Sequence, residues 1–575
     1  MFHLYKLILL IFITNVATTF TYASDSTYTK MGAGPKYWIA YEHCFVNNVP
    51  IPEDRWKQNI DWVDKNFKDY GYDMICNDGW IETAQTINSN GYITKYNDGW
   101  KNDFKYWYNY LKQKNMRMGV YYNPMWMTKA AYDQNVKVIG TKHKAQDLAG
   151  ARSFNEPLYW VDATKPGAKE WIQGYVQYFI DCGATYLRID FLENYERNYG
   201  TVNYELCLKW IKEAAGDKLF LSLVMPNCYE HGRAELKYGD MIRIDDDCFQ
   251  GGWDFFSERR RGLWNPIWPQ YGNAFDGFIK FADIGGRGQM VLDGDFIRLN
   301  TMDTDIERMS MISLFTMAGS PICIADQYDT IEGSEWVYQN KELIALNDAG
   351  FVGKPLSYDD KDVNNSSRWA GQLPNGDWVV GLFNREKNNQ IRSIDFLQEL
   401  GLDNGNASQV RDLWKHEDLG SMQGGYSVEL LPHESKVLLI KSSKIFRYEA
   451  EVASMMGGAK RGETYFGASG FGYAEMSMNT ENKLLFAIET SITSKYKLNI
   501  RYKNSNDRQL KANISVDKGV KSIGLAIPAA KEGGKWSVVN TEILLNSGVN
   551  FLSISNNDAK ASFAIDYIEI LPLGK

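Results

Sequence analysis

The sequence predicts an α/β protein: a (β/α)8 TIM barrel followed by two all-β sandwich domains. Three observations carry that expectation. Short apolar runs alternate with amphipathic stretches from about residue 36 to 345. Past Gly353 the texture changes to short alternating segments separated by turn residues such as Pro374-Asn375-Gly376. The 575-residue length also exceeds what one hydrophobic core organises, so about two to four domains are expected.

The elements follow in chain order. Residues 1–23 read as a signal peptide, with Lys6, an apolar run from Leu7 to Thr14 and small residues before a cut after Ala23. That run is too short to span a bilayer, and no later segment reaches about 18 apolar residues. A secreted chain, periplasmic or extracellular, with no membrane span after processing is expected. The barrel is assigned to 24–350. Its strands are predicted at Tyr37–Tyr41, Met74–Asn77, Arg117–Tyr122, Tyr186–Asp190, Leu219–Leu223, Met241–Ile244, Gln289–Leu292 and Pro321–Ala325. The clearest helices are Asp54–Tyr70, Trp100–Lys114, Pro166–Cys182, Tyr204–Ala215 and Thr304–Met317, with Pro166 in the first turn of its helix. Eight strands with intervening helices over about 300 residues suit a closed barrel. A doubly wound sheet is the rival, but no Gly-x-Gly-x-x-Gly loop follows a strand. A β-sandwich is assigned to 351–443, with segments such as Trp378–Phe383 and Val428–Ile440. The last unit, 446–575, is all-β again, with strands at Lys497–Tyr502, Trp536–Leu545 and Ile565–Leu571 and a joint at Ser442-Ser443-Lys444.

Composition narrows the partners. The net charge is −8 without basic runs, which excludes a nucleic-acid partner, since that affinity rests on neutralising phosphates. Aromatics make up 14% of the chain, a proportion that suits packing on the C–H faces of sugars as well as ordinary cores. Seven cysteines are scattered without a Cys-x-x-Cys pair, so buried free thiols are expected rather than a disulfide framework or a zinc site.

Barrel enzymes carry their catalytic groups at the C-terminal ends of the strands. Here four of those ends are acidic: Asn77-Asp78-Gly79-Trp80, Arg188-Ile189-Asp190, Arg243-Ile244-Asp245-Asp246-Asp247 and Asp293-Gly294-Asp295. A carboxylate just past a buried strand is costly unless solvated or paired. Two uses of such a cluster compete. Asp245, Asp246 and Asp247 suit a hard cation. Alternatively, one carboxylate beside an anomeric carbon and one acid beside the leaving oxygen suit glycoside hydrolysis. The interleaved Arg188 and Arg243 favour the second, because guanidinium groups hold carboxylates ionised and fork onto hydroxyls.

These residues resemble glycoside hydrolase family 27, the clan of α-galactosidases and α-N-acetylgalactosaminidases, from about Tyr37 to Ile440. Tyr186-Leu187-Arg188-Ile189-Asp190 is similar to the nucleophile strand of that family. Arg243 to Asp247 keeps its arginine-to-acid/base spacing, and Asp293-Gly294-Asp295-Phe296, Ser313–Pro321 and Arg411-Asp412-Leu413-Trp414 match further segments. The resemblance implies a retaining α-glycosidase, α-galactosidase-like, with Asp190 as nucleophile and Asp247 as acid/base about 5–6 Å apart. It implies Asn77, Asp78, Trp80, Arg188, Arg243, Tyr41, Asp293 and Asp295 as substrate-binding residues on an oligo- or polysaccharide, with no cofactor for catalysis. Departures fall where the family reads its sugar: Asn77 for an aspartate, Arg188 for a lysine, Tyr41 for a tryptophan, and Val224-Met225-Pro226 for a Cys-Glu-Trp segment. Relatives with this fold cleave β-L-arabinopyranosides or release isomaltose from dextran, and these are the alternative activities. A non-catalytic glycan-binding protein on the same scaffold is the alternative of a different class. Glu193 and Glu196 follow the nucleophile in positions that suit rim or cap roles.

The last unit resembles carbohydrate-binding module families 6 and 35. Tyr448-Glu449-Ala450-Glu451 opens it, Ile565-Asp566-Tyr567-Ile568-Glu569 closes it, and Gly467–Gly470, Arg501-Tyr502 and Ser547–Asn550 match between them. The resemblance implies Glu449, Glu451 and Asp566 as ligands of a structural Ca2+, with Trp536, Tyr473 and Asn556 as candidates for sugar contact.

Overall fold

The computed structural model describes residues 32–573, apart from 80, 154–156, 266–269, 403–406, 442–445, 518–521 and 530–534. The expected leader, Trp80 and the Ser442–Lys444 joint lie outside the described residues.

Eight parallel strands form the first unit: β1 Lys36–Ile39, β2 Met74–Cys76, β3 Arg117–Tyr121, β4 Ala184–Ile189, β5 Phe220–Leu223, β6 Met241–Arg243, β7 Val291–Asp293 and β8 Ile322–Ile324. The hydrogen-bonded order runs β7-β6-β5-β4-β3-β2-β1-β8. A parallel bridge from Ile297, just past β7, to Ile324 joins the two ends, so the sheet closes on itself. Nearly every strand residue is buried, because side chains fill the barrel on one face and helices cover the other. That explains why these strands read as short apolar runs.

The outer helices are α1 Tyr41–Asn47, α2 Glu53–Asn66, α3 Phe104–Gln113, α4 Ala168–Asp181, α5 Leu192–Tyr199, α6 Thr201–Ala215, α7 Tyr229–Tyr238, α8 Ala274–Phe281 and α9 Asp305–Ala318. Two expectations need correction. Pro166 lies outside α4, whose N-cap is Gly167 at φ 93°, a left-handed conformation that glycine adopts without strain. The predicted helix Asp54–Tyr70 ends at Asn66. A separate 3-10 turn, Lys68–Tyr70, follows and is closed by Gly71.

Helix α9 is buried on every side from Ser310 to Ala318, because the next unit covers the side turned away from the barrel. Trp414 Nε1 donates to Ser313 Oγ at 2.7 Å, Ser310 Oγ donates to His433 O at 2.5 Å, and Arg411 pairs with Glu342. The Arg411–Trp414 segment thus docks a six-stranded antiparallel sheet, from Lys354–Pro355 to Ser435–Ile440, onto the barrel. The single segment expected at Val428–Ile440 is two strands, Gly425–Leu430 and Ser435–Ile440, parted by a turn with His433 at φ 63°.

The last unit packs a six-stranded sheet on a five-stranded one, with strands between Phe446 and Pro572. It has a separate apolar core around Leu484, Leu498, Leu552 and Ile568. It also touches both preceding units. Gln372 accepts from Glu449 N and donates to Arg447 O, and Arg287 lies over the Phe551 ring at 5.0 Å. None of the seven cysteines is in a disulfide; Cys182 is half-buried and the others are buried.

Candidate active site

Each acidic strand end projects into one mouth of the barrel. Register sets the first contacts. Arg243 is the cross-strand partner of Asp293, and Arg188 faces Tyr121 on one side and Ser222 on the other. Both guanidinium groups are fully buried, so each needs carboxylates around it.

Arg188 bonds Asp293 Oδ2 at 3.1 Å and Asp295 Oδ1 at 3.2 Å, with Asp78 at 3.4 Å from its Nε. Arg243 bonds Asp245, Asp247 and Asp295. Asp295 therefore links the two arginines. Its other oxygen accepts from Cys248 N at 2.8 Å. Asp295 sits at φ 73°, and a Cβ on the preceding Gly294 would come within 2.4 Å of the Phe278 ring, so the glycine is required by close approach. Burial pushes the carboxyls of Asp78 and Asp245 well up, and raises Asp295 to about 7 despite Arg243.

Asp190 stands at the end of β4. Its Oδ2 accepts from Tyr121 Oη at 2.7 Å, its Oδ1 from Phe191 N at 2.6 Å, and its backbone carbonyl from Asn123 at 2.7 Å. The carboxyl is raised by burial and next by the charge of Asp247, and lowered by Tyr121 and Arg188. Asp190 and Asp247 are each half-buried, unlike the carboxyls behind them. They are the two accessible acids of the cluster, and each is held by a donor on its inner side.

Asn77, expected to bind substrate, turns its amide to the backbone of β3. Its Oδ1 accepts from Tyr121 N at 3.0 Å and its Nδ2 donates to Tyr121 O at 3.3 Å. It extends the β2–β3 pairing by one residue and so fixes the tyrosine that holds Asp190. Tyr41 lies among Asp247, Asp295 and Asp78, which together with burial raise its hydroxyl. Its ring stacks on Phe296 at 3.8 Å and Phe45 at 5.7 Å, so its hydroxyl is the group it offers to the site. Trp80 lies outside the described residues.

The run Asp245-Asp246-Asp247 does not converge on a shared cation. Asp245 and Asp247 turn to Arg243, and Asp246 lies 3.6 Å from Arg259. Among the described residues, no three His, Cys, Asp or Glu side chains form a group suited to a metal ion.

Two residues are weightier than the sequence suggested. Tyr121 lies inside the predicted strand Arg117–Tyr122 and is the last residue of the observed β3, where an aromatic residue in an apolar run reads as core. Glu193 is not on the rim: with Glu196 it is buried in the helix that follows β4. Rim and core look alike in a helix that starts directly after a barrel strand.

In the last unit, Glu449 and Glu451 each bury one carboxylate oxygen, Oε2, without a partner. Asp566 instead pairs with Arg501 and accepts from Ser469 N. Asn556 uses its amide on Ser477 O and Ala561 O, which rules it out as an open sugar contact. Tyr473 is fully buried and stacks on Tyr465 at 4.8 Å, with Trp536 against its edge at 5.6 Å.

Comparison with known proteins places this geometry. The profile of the α-galactosidase C-terminal β-sandwich domain matches residues 364–440. The isomalto-dextranase of Arthrobacter globiformis is 40% identical over 592 aligned positions, spanning 95% of this chain and 91% of that protein. The structure of the A. globiformis T6 enzyme complexed with panose superposes with a TM-score of 0.90, at 40% identity, covering 95% of this chain and 97% of that one. A family 27 β-L-arabinopyranosidase from Geobacillus stearothermophilus shares the fold, with a TM-score of 0.58 at 20% identity over 73% of this chain and all of that one.

Proposed function

The chain belongs to the glycoside hydrolase family of the A. globiformis isomalto-dextranase, on the fold of the family 27 enzymes, and on that premise we propose that it hydrolyses a dextran-type α-glucan with retention, releasing isomaltose. The observation that carries the mechanism is the pair of accessible carboxyls, Asp190 held by Tyr121 and Phe191 N, and Asp247 held by Arg243. Asp190 attacks C1 while Asp247 protonates the departing glycosidic oxygen, giving a β-linked glycosyl ester. Water then attacks C1 as Asp247 takes its proton, the ester breaks, and the α configuration returns. Arg188, Arg243, Asp293 and Asp295 form a buried charged layer behind that pair, with Asp78 beside Arg188, and this layer orients Asp247 and sets the field around the reacting carbon. The α-galactosidase-like reading gives way to the isomalto-dextranase-like one within the same mechanism. The similarity to the isomalto-dextranase runs through nearly the whole chain, and Asn77 is engaged with backbone rather than free for a hexose hydroxyl.

Proton NMR of the first products tests this. Incubation with dextran is expected to give the α anomer of isomaltose ahead of mutarotation, with aryl α-galactoside untouched. A β anomer appearing first would sink the retaining mechanism, and galactose release alone would sink the glucan.

Two further readings belong with it. An exported chain, with residues 1–23 as leader, fits a polymer too large to enter cells, and a mature N-terminus sequenced from the external fraction at Ser24 is the check. The last unit acts as a carbohydrate-binding module with a structural Ca2+ on Glu449 and Glu451. Two buried carboxylate oxygens without donors fit a hard cation, whereas Asp566 stays with Arg501. Added calcium is expected to raise the melting temperature and chelation to lower it, with hydrolysis at moderate temperature unchanged.

A further inference from the structure

Phe191, directly after the nucleophile, takes a left-handed φ of 59° and turns the chain from β4 into α5. Glu193 falls in the first turn of that helix. Side chains there lean toward the helix N-terminus, which here means back toward Asp190.

The surroundings of Glu193 are almost fully specified. Its N–H donates to Met225 O at 2.8 Å. Its carbonyl accepts from Asn227 Nδ2 at 3.5 Å and from Arg197 Nε at 3.4 Å. Its Oε1 accepts from Arg197 Nη2 at 3.2 Å. Its Oε2 is buried and has no partner, although the side chain is only 4% exposed. Burial and, next, the charge of Asp190 push this carboxyl up to about 7, so the two acids feel one another. The loop that clamps it is itself strained: Met225 and Cys228 both adopt left-handed backbone. Strain of that kind persists where surrounding structure holds it for a purpose.

A buried acceptor oxygen without a donor is rare in folded proteins and calls for an explanation. A sugar ring is lined with hydroxyl donors. We propose that Glu193 is a specificity-determining binding residue, whose Oε2 accepts a hydrogen bond from a hydroxyl of the saccharide held at Asp190. This rests on the hydrolase reading above and adds a residue that reads the glycone.

The test uses the full-length enzyme, isomaltotriose and its monodeoxy analogues, and the variants Glu193→Ala, Glu193→Gln and Arg197→Ala. Glu193→Ala is expected to lower kcat/KM about 100-fold and Glu193→Gln about tenfold. Arg197→Ala, which removes the ion pair but leaves the carboxyl, is expected to stay within about threefold. One monodeoxy analogue should lose a similar factor with the wild type and lose nothing more with Glu193→Ala. Glu193→Ala within about threefold of wild type overturns the proposal. So does a loss shared by Arg197→Ala, with a lowered melting temperature and no analogue that masks the mutation. A wild type that cleaves a different glycoside but not isomaltotriose refutes the glucan reading instead. The same variants on that glycoside then decide Glu193.

Discussion

Asp190→Ala is expected to lower kcat on dextran about 10^4-fold or more, roughly 5 kcal/mol of transition-state stabilisation. The side chain removed is the one held at both oxygens, by Tyr121 and by the Phe191 amide. Without it no covalent intermediate forms, and Asp247 alone cannot compensate. Azide is expected to rescue the variant on an activated aryl α-isomaltoside, entering the space left by the carboxylate and giving the β-glycosyl azide. Retention of more than about one per cent of wild-type kcat would remove Asp190 from the nucleophile role. Tyr121→Phe is the graded version. The phenol hydrogen bond favours the ionised carboxylate and holds its pKa down. Its loss moves the acid limb of kcat/KM to higher pH, with a fall of about tenfold near neutrality.

Arg243→Met is expected to cost about 3–5 kcal/mol of barrel stability at neutral pH, read by calorimetry. The arginine is fully buried and serves Asp245, Asp247 and Asp295 together, so its removal strands negative charge in the core. The deficit should depend on pH in a definite direction. A carboxyl whose folded pKa lies above its unfolded value of about 4 weakens the fold as pH rises, because only the unfolded chain ionises freely in between. Asp295 is raised to about 7 even with Arg243 present, and removing the cation raises it further. The variant should therefore show a level deficit up to about pH 6 and fall further behind wild type as pH rises through about 7, where Asp295 ionises with Arg243 present and stays protonated without it. A constant deficit across that window would mean that packing, not charge, sets the role of Arg243. Activity should fall as well, since Asp247 loses the partner that orients it.

Much of this protein is legible in one dimension. The strand runs stand out because each barrel strand is buried on both faces, which leaves a short apolar word between polar helices. The acidic words at four strand ends stand out for a related reason: carboxyls there are tolerated only where something answers them. The Arg188–Asp190 and Arg243–Asp247 spacings are local, two and four residues, and the backbone holds them whatever the rest of the fold does. Thus the barrel, the acidic mouth and the two accessible carboxyls follow from sequence.

What the tertiary structure alone decided concerns contacts between strands. Asn77 and Tyr121 are 44 residues apart, yet the asparagine closes on the tyrosine backbone and the tyrosine on Asp190. Asp295 joins two arginines that sit on different strands. Asp566 goes to Arg501 while Glu449 and Glu451 keep free oxygens. Glu193 is buried only because the loop after β5 folds over it. A local pattern records which residues must be inside and which must be charged. Which charge meets which donor is set by barrel register and loop geometry, and those depend on the whole closed sheet.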